Sequence, residues 1–299
     1  MLCCVILAYL VAACNTASQA NLEQSARDAM QKRQFDIAAQ RFQTAIAGCP
    51  SRSGLQLELG NAYFMGQHFR EAKDVAMQVL RAEPGNAAAL EIKANSEYLL
   101  GDSSAAIDTF IDLLDRHPEN EQAAYMLGRI YYQEDNVDQA IGQFERVLRL
   151  NAASYKAYDN LGLCYEAKGD NDKATRYFLT AIKLVEKNHP EYDTAYADLA
   201  ELLLKTGNVQ KAFDAAAIAA NRNSTSARNF YLGGKALDQL GKTELALNWL
   251  QRSAALDPNY SQPLYLLARL YRKLGEIQKA AEAQKKFLEL QAKEPAQRR

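Results

Sequence analysis

Histidine, cysteine and unbalanced charge are scarce in this sequence, and each shortage excludes a class of function. The three histidines, His68, His117 and His189, stand far apart, and neither Cys49 nor Cys164 is spaced with one of them as a zinc site requires. No HExxH pair, nucleophile elbow or glycine-rich phosphate loop occurs. Single acids and bases are numerous but read as solvated helix-surface residues. Catalysis, a cofactor and a resident metal are therefore not expected. Lys and Arg number 35 against 36 Asp and Glu, a formal charge of -1, so no global field draws the chain to nucleic acid or anionic lipid. Strict apolar and polar alternation is missing too, which argues against half-buried strands. An all-α chain remains.

What is abundant is repetition. Small residues recur at Ala38, Ala72, Ala106, Ala140, Ala174, Ala212, Ala246 and Ala280, with successive spacings of 34, 34, 34, 34, 38, 34 and 34. A fixed period in this range marks stacked supersecondary units, each touching only its neighbours and together exposing a long surface. One elongated domain is expected, not two closed globules. Eight repeats follow, at about 19-52, 53-86, 87-120, 121-154, 155-192, 193-226, 227-260 and 261-292.

The second repeat shows the pattern in full. Leu59-Gly60 and Tyr63 lie on one helix, Gly66-Gln67-His68 breaks it, and Ala72, Ala76, Val79 and Leu80 form the apolar stripe of a second helix that ends before Pro84. Small side chains at Gly60 and Ala72 imply close backbone approach, while Tyr63, Phe110, Phe144 and Phe178 should fill the space between consecutive hairpins. In repeat seven Gly233-Gly234 stands with Leu237, and in repeat six Ala200 with Leu203, a small residue opposite a less bulky one that implies looser packing. The four extra residues between repeats five and six fall in Leu184–Pro190 and equal about one helical turn. They predict a longer second helix in repeat five, either as a tolerated insertion or as a functional protrusion.

Leu127-Gly128, Tyr131, Ala140 and Phe144, with Leu161-Gly162, Tyr165, Ala174, Phe178 and Ala181, resemble the tetratricopeptide repeat. The resemblance covers residues 21-292. It implies an all-α, right-handed α-solenoid of about eight helix hairpins, whose first helices line a concave groove for an extended peptide or a partner helix.

Transferred to this sequence, the family's groove positions fall at Asn61, Phe64, Asn95, Tyr98, Tyr125, Arg129, Tyr132 and Asn160. Amides carry both a donor and an acceptor for a peptide backbone, and aromatics supply rigid apolar area. The competing reading is ordinary helix surface. Further along, Asp159, Glu166, Asp198 and Glu201 form an acidic stretch, followed by a basic end of Arg228, Lys235, Arg269, Arg272 and Lys273, an arrangement suited to orienting a partner. The family's carboxylate clamp for chaperone tails is not assembled: Arg27 and Asn61 are present, but Glu91 and Ile92 stand where cations should.

The ends differ from the repeats. Leu2–Ala13 is apolar and uncharged but shorter than the ~20 residues a bilayer core demands, so 1-13 reads as an export signal. Val11-Ala12-Ala13-Cys14 resembles a bacterial lipobox, which implies acylation of Cys14, although the leader has no Lys or Arg. Residues 14-20 then form a polar tether and 293-299 a basic tail. Phe287, Leu288 and Leu290 on the last helix favour self-association or a partner. The sequence thus predicts a non-catalytic scaffold for protein or peptide partners, with no nucleic acid and with the membrane reached only through a lipid anchor. Its place is then the bacterial envelope, facing the periplasm; the alternative is a cytoplasmic adaptor subunit of an enzyme encoded elsewhere, its leader an unprocessed helix.

Overall fold

The computed structural model describes residues 17–48 and 53–293; the leader with Cys14 and the tail after Lys293 lie outside the described residues. Among the described residues there are sixteen helices and no strand. They pair as α1 (Ala17–Gln31) with α2 (Phe35–Gly48), α3 (Ser53–Met65) with α4 (Phe69–Ala82), α5 (Ala87–Leu99) with α6 (Ser103–Arg116), and α7 (Glu121–Gln133) with α8 (Val137–Leu150). The series continues with α9 (Tyr155–Ala167) and α10 (Asn171–Asn188), α11 (Thr194–Lys205) and α12 (Val209–Arg222), α13 (Ala227–Gln239) and α14 (Thr243–Leu256), and α15 (Ser261–Lys273) and α16 (Ile277–Lys293). The chain divides into two compact halves, Met1–Leu150 and Asn151–Arg299. Within each half every helix packs on its predecessor and its successor, the stacked hairpins of an α-solenoid.

The eight landmark alanines are all buried, Ala280 being the most exposed at 3 %. Their neighbours correct one expectation. At Gly128 an added Cβ would lie 2.8 Å from Cε1 of Phe144, and at Gly162 2.4 Å from Cε1 of Phe178. The glycines therefore admit the aromatic ring of their own second helix instead of a neighbouring backbone. Phe178 also meets Leu199 and Leu202 of the next repeat, so the ring does span consecutive hairpins. The double glycine of repeat seven is not loosely packed: an added Cβ at Gly233 would lie 2.3 Å from Cε3 of Trp249, and one at Gly234 2.7 Å from Cγ of Leu250.

Each hairpin turns through one left-handed residue at the same place in the repeat. Gly101, Gly169, Gly207, Gly241 and Gly275 have φ between 74° and 86°, and Arg33, Gln67 and Asp135 occupy the equivalent position at 57°, 65° and 59°. The amide of Asp102 donates to the carbonyl of Glu97 and that of Gly101 to Tyr98, which satisfies the last carbonyls of α5 in a Schellman motif. The second helix then starts under a side-chain cap: Asp102 accepts from the amide of Ala105, and Asp170 from that of Lys173.

The extra residues of repeat five lengthen its second helix, as expected. Helix α10 has 18 residues, whereas α4, α6, α8, α12 and α14 have 14 each. The segment after it is held down. Arg222 donates to the carbonyls of His189 and Glu186, and its guanidinium lies 4.7 Å from the ring centre of Tyr196. Tyr155 packs against both His189 and Tyr192, at 4.5 and 4.7 Å between ring centres.

Candidate functional site

In the N-terminal half the first helices α3, α5 and α7 carry the predicted peptide-contacting residues. Helices α3 and α5 touch directly, and the Tyr98 hydroxyl donates to Gln133, joining α5 to α7. Asn61 is exposed, whereas Phe64, Asn95, Tyr98, Tyr125, Arg129 and Tyr132 are half-buried. Phe64 meets Phe69 edge-on at 5.6 Å, and Tyr125 packs 5.9 Å from Phe144. The Asn95 amide donates to the Glu91 carbonyl at 2.9 Å, one turn back on its own helix. Beside these residues Met65 and Leu99 remain 49 % and 48 % exposed. The face is thus partly apolar, with its aromatics braced by their own hairpins. Arg27, the candidate clamp cation, is already held by Glu58 at 2.7 Å and Glu23 at 3.5 Å.

In the C-terminal half Asn160 donates to the carbonyl of Lys156 within α9. The acidic stretch and the basic end, expected as separate patches, are interleaved by ion pairs. Arg228 on α13 reaches Asp198 at 2.7 Å and Glu201 at 2.6 Å, both on α11. Lys205 is bonded to Glu166, and Arg269 to Asp238. Arg272 donates to Gln284 at 2.7 Å and Lys273 to Thr243 at 3.3 Å, while Lys235 stands 5.9 Å from the ring centre of Tyr231. Of the five cations of the expected basic end, Arg228 and Arg269 are thus ion-paired with acids. Arg272, Lys273 and Lys235 have neutral neighbours that leave their charge in place.

At the centre of this network lie two buried acids, Asp159 at 1 % and Asp198 at 3 % exposure. Tyr192, from the segment after the lengthened helix, donates to Asp159 at 2.5 Å. One oxygen of each carboxyl, Oδ1 of Asp159 and Oδ2 of Asp198, has no hydrogen-bond partner. Burial, and then the charge of Asp198, pushes the Asp159 carboxyl up to about 8, against the opposing pull of Tyr192 and Arg228. Burial also raises Asp198, and Arg228 opposes it. Burial would raise Glu201, but the Arg228 hydrogen bond and charge bring it below its ordinary range. Two of these acids, Asp198 and Glu201, share the Arg228 guanidinium, while Asp159 feels its charge only at a distance, so Asp159 and Asp198 titrate as a coupled pair.

Sequence reasoning missed these partnerships. Their only signal is spacing: residues on successive first helices meet at separations such as 31 for Arg27 and Glu58, 31 for Arg269 and Asp238, and 35 for Tyr98 and Gln133. Among the described residues no group of three or more His, Cys, Asp or Glu side chains is placed to hold a metal. Cys164 is buried, and burial pushes its thiol up to about 12, so it is an inert core residue. At the C-terminal end a surface cavity of about 240 Å³ lies between Tyr265, Arg269, Arg272, Phe287 and Leu288. Phe287 packs on Tyr265 at 5.6 Å and Leu290 joins the terminal core, leaving Leu288 56 % exposed.

Stacked amphipathic hairpins that present side chains from successive first helices define a helical-repeat interaction protein. Tetratricopeptide repeat models match residues 57–121, 93–154, 153–221, 227–260 and 249–282, and the chain belongs to the tetratricopeptide repeat family. A tetratricopeptide repeat protein from Parabacteroides merdae superposes with a TM-score of 0.68 at 22 % identity, covering 85 % of this chain and 99 % of that one. Among curated relatives, the CTR9 homolog of Arabidopsis thaliana is 24 % identical over 280 residues, 80 % of this chain and 26 % of its own length. Lipopolysaccharide assembly protein B of Escherichia coli is 24 % identical over 214 residues, 68 % of this chain and 54 % of its own. The chain thus spans about a quarter and about half of these two relatives. No helix among the described residues is long and apolar enough to cross a membrane.

Proposed function

We propose that this chain is a non-catalytic scaffold of the bacterial envelope, anchored by a lipid on Cys14, whose first-helix faces bind an extended peptide or a partner helix. The observation that carries the binding half of this reading is the face of α3, α5 and α7, where exposed Met65 and Leu99 adjoin half-buried Phe64, Tyr98 and Tyr132. Apolar side chains left at the surface of a repeat protein mark a docking surface. The similarity to a lipopolysaccharide assembly protein supports the envelope, as does the lipobox-like Val11-Ala12-Ala13-Cys14. Mature lipoproteins carry several acyl chains, which hold firmly where a single chain would not.

Two measurements test the two halves of the proposal. Metabolic labelling with a clickable fatty acid should mark the wild type and not Cys14→Ser; label independent of Cys14, or none, removes the anchor and leaves a soluble adaptor. Mass spectrometry of co-purifying proteins should find partners that diminish when Asn95, Arg129 and Asn160 are replaced by Ala. An unchanged partner set would move binding away from these faces.

A further inference from the structure

Acids on the first helices are almost all matched. Glu23 and Glu58 share Arg27, Glu97 pairs with Lys93 at 3.1 Å, Glu166 with Lys205, Asp198 and Glu201 with Arg228, and Asp238 with Arg269. Even Asp159, which has no cation of its own, takes the Tyr192 hydroxyl. Glu91 is different. It is half-buried on α5, yet among the described residues its carboxylate has neither an ion pair nor a hydrogen bond. Burial alone holds that carboxyl above its ordinary range, with no neighbouring cation to bring it back.

Its surroundings say what would complete it. Glu91, Asn95 and Tyr98 follow one another at helical spacing on α5, and the exposed Leu99 ends the same helix. Ile92, next to Glu91 in sequence, is buried in the core shared with α4, and Glu91 itself is half-buried. Asn61 and Met65 on α3 and Arg129 on α7 stand on the neighbouring first helices. A half-desolvated carboxylate on a helix face that also carries an amide and a tyrosine is the chemical complement of a Lys or Arg side chain carried on an extended peptide. The ammonium or guanidinium neutralises the acid, the aliphatic stem covers apolar surface, and the Asn amides hold the backbone. A free divalent cation lacks further ligands here, since no group of three or more metal-binding side chains occurs among the described residues.

We infer that Glu91 is the specificity-determining residue of the N-terminal face and selects peptides by a basic side chain. The inference rests on that face being the peptide-binding groove, and it adds a rule of recognition to it. The test is selection of random linear dodecapeptides displayed on phage against the purified chain, its Glu91→Gln form and its Glu91→Lys form. Wild type should enrich peptides with Lys or Arg at one fixed position. Glu91→Gln should lose that preference and bind a wild-type-selected peptide about tenfold more weakly, while replacing the basic residue in that peptide should cost the variant nothing further. Glu91→Lys should turn the fixed position acidic. Thermal melting keeps the comparison sound: Glu91→Gln should melt at the wild-type temperature or above it, because it removes an unmatched charge. Enrichment of peptides without a fixed basic position, or equal affinity for Glu91→Gln, overturns the role of Glu91 and leaves the groove standing. No enrichment on any form overturns the groove, and the selectivity with it.

Discussion

The hydroxyl of Tyr192 donates to Oδ2 of Asp159 across 2.5 Å, joining the segment beyond the lengthened helix α10 to a carboxyl buried on α9. It supports an acid that the fold otherwise leaves poorly solvated. Tyr192→Phe should therefore destabilise the C-terminal half by about 1–3 kcal/mol, the usual cost of stranding a buried acceptor. Urea unfolding followed by tryptophan fluorescence reads this directly, since Trp249 lies in the same half. A midpoint equal to that of the wild type would show that the bond contributes nothing.

The same acid gives the C-terminal half a pH dependence of definite sign. The folded carboxyl of Asp159 is raised to about 8 from an ordinary 3.8, so the native state binds more protons than the unfolded chain between those values. Its stabilising contribution is complete below the unfolded value and is lost as pH rises through about 8. Stability should fall across that window by at most about 1.4 kcal/mol per pH unit. Asp159→Asn, which imitates the protonated form, should flatten the slope. Unfolding midpoints taken at intervals from pH 4 to 9 check both statements.

Arg228 serves Asp198 and Glu201 with separate nitrogens of one guanidinium. Removing it leaves a buried acid without its cation, so Arg228→Met should cost about 3 kcal/mol or more. Arg228→Lys should recover only part of that loss, because an ammonium cannot span both carboxylates as a planar fork does. Equal midpoints for the Lys and wild-type proteins would contradict the fork.

Two glycine substitutions should move stability in opposite directions. Gly162→Ala drives a methyl group into Phe178 and should cost about 1–3 kcal/mol. Gly142→Ala, on α8 with nothing within 4 Å of the added Cβ, should gain about 0.5–1 kcal/mol from backbone entropy alone. Thermal melts of the two variants beside wild type decide the matter.

A third backbone test concerns the turns. Gln67 holds φ at 65°, a place that five other repeats give to glycine. Gln67→Gly should therefore stabilise the N-terminal half by about 1 kcal/mol, and Gly101→Ala should destabilise it by a similar amount. Calorimetric melting of the two variants reads both effects.

Much of the fold was legible because it rests on local periodicity. The eight alanines report helix positions that must stay small, and a four-residue surplus is one helical turn, so α10 came out longer as its spacing required. The candidate site was less legible because it depends on which side chains of successive helices face each other. Read along the chain, Asp198 and Arg228 looked like members of opposite patches; in space they share hydrogen bonds. The left-handed turn was hidden for a similar reason: Arg33, Gln67 and Asp135 occupy it without the glycine that would announce it. Glu91 looked merely like the wrong charge for a clamp, and only the pairing of every other half-buried first-helix acid makes it conspicuous.

The lengthened α10 also bears on how such a chain can change over generations. Hairpins that begin and end alike can be duplicated, lost or exchanged by recombination in whole 34-residue steps, since each brings its own turn and its own buried alanine. That freedom stops at repeat five. Tyr192 follows the lengthened helix in repeat five, Asp198 and Arg222 belong to repeat six and Arg228 to repeat seven, so transplanting any one of these three repeats would break one of the bonds around the buried acids. Repeats five to seven are thus tied through buried acids, whereas the ties between earlier repeats, such as Arg27 with Glu58 and Tyr98 with Gln133, lie nearer the surface.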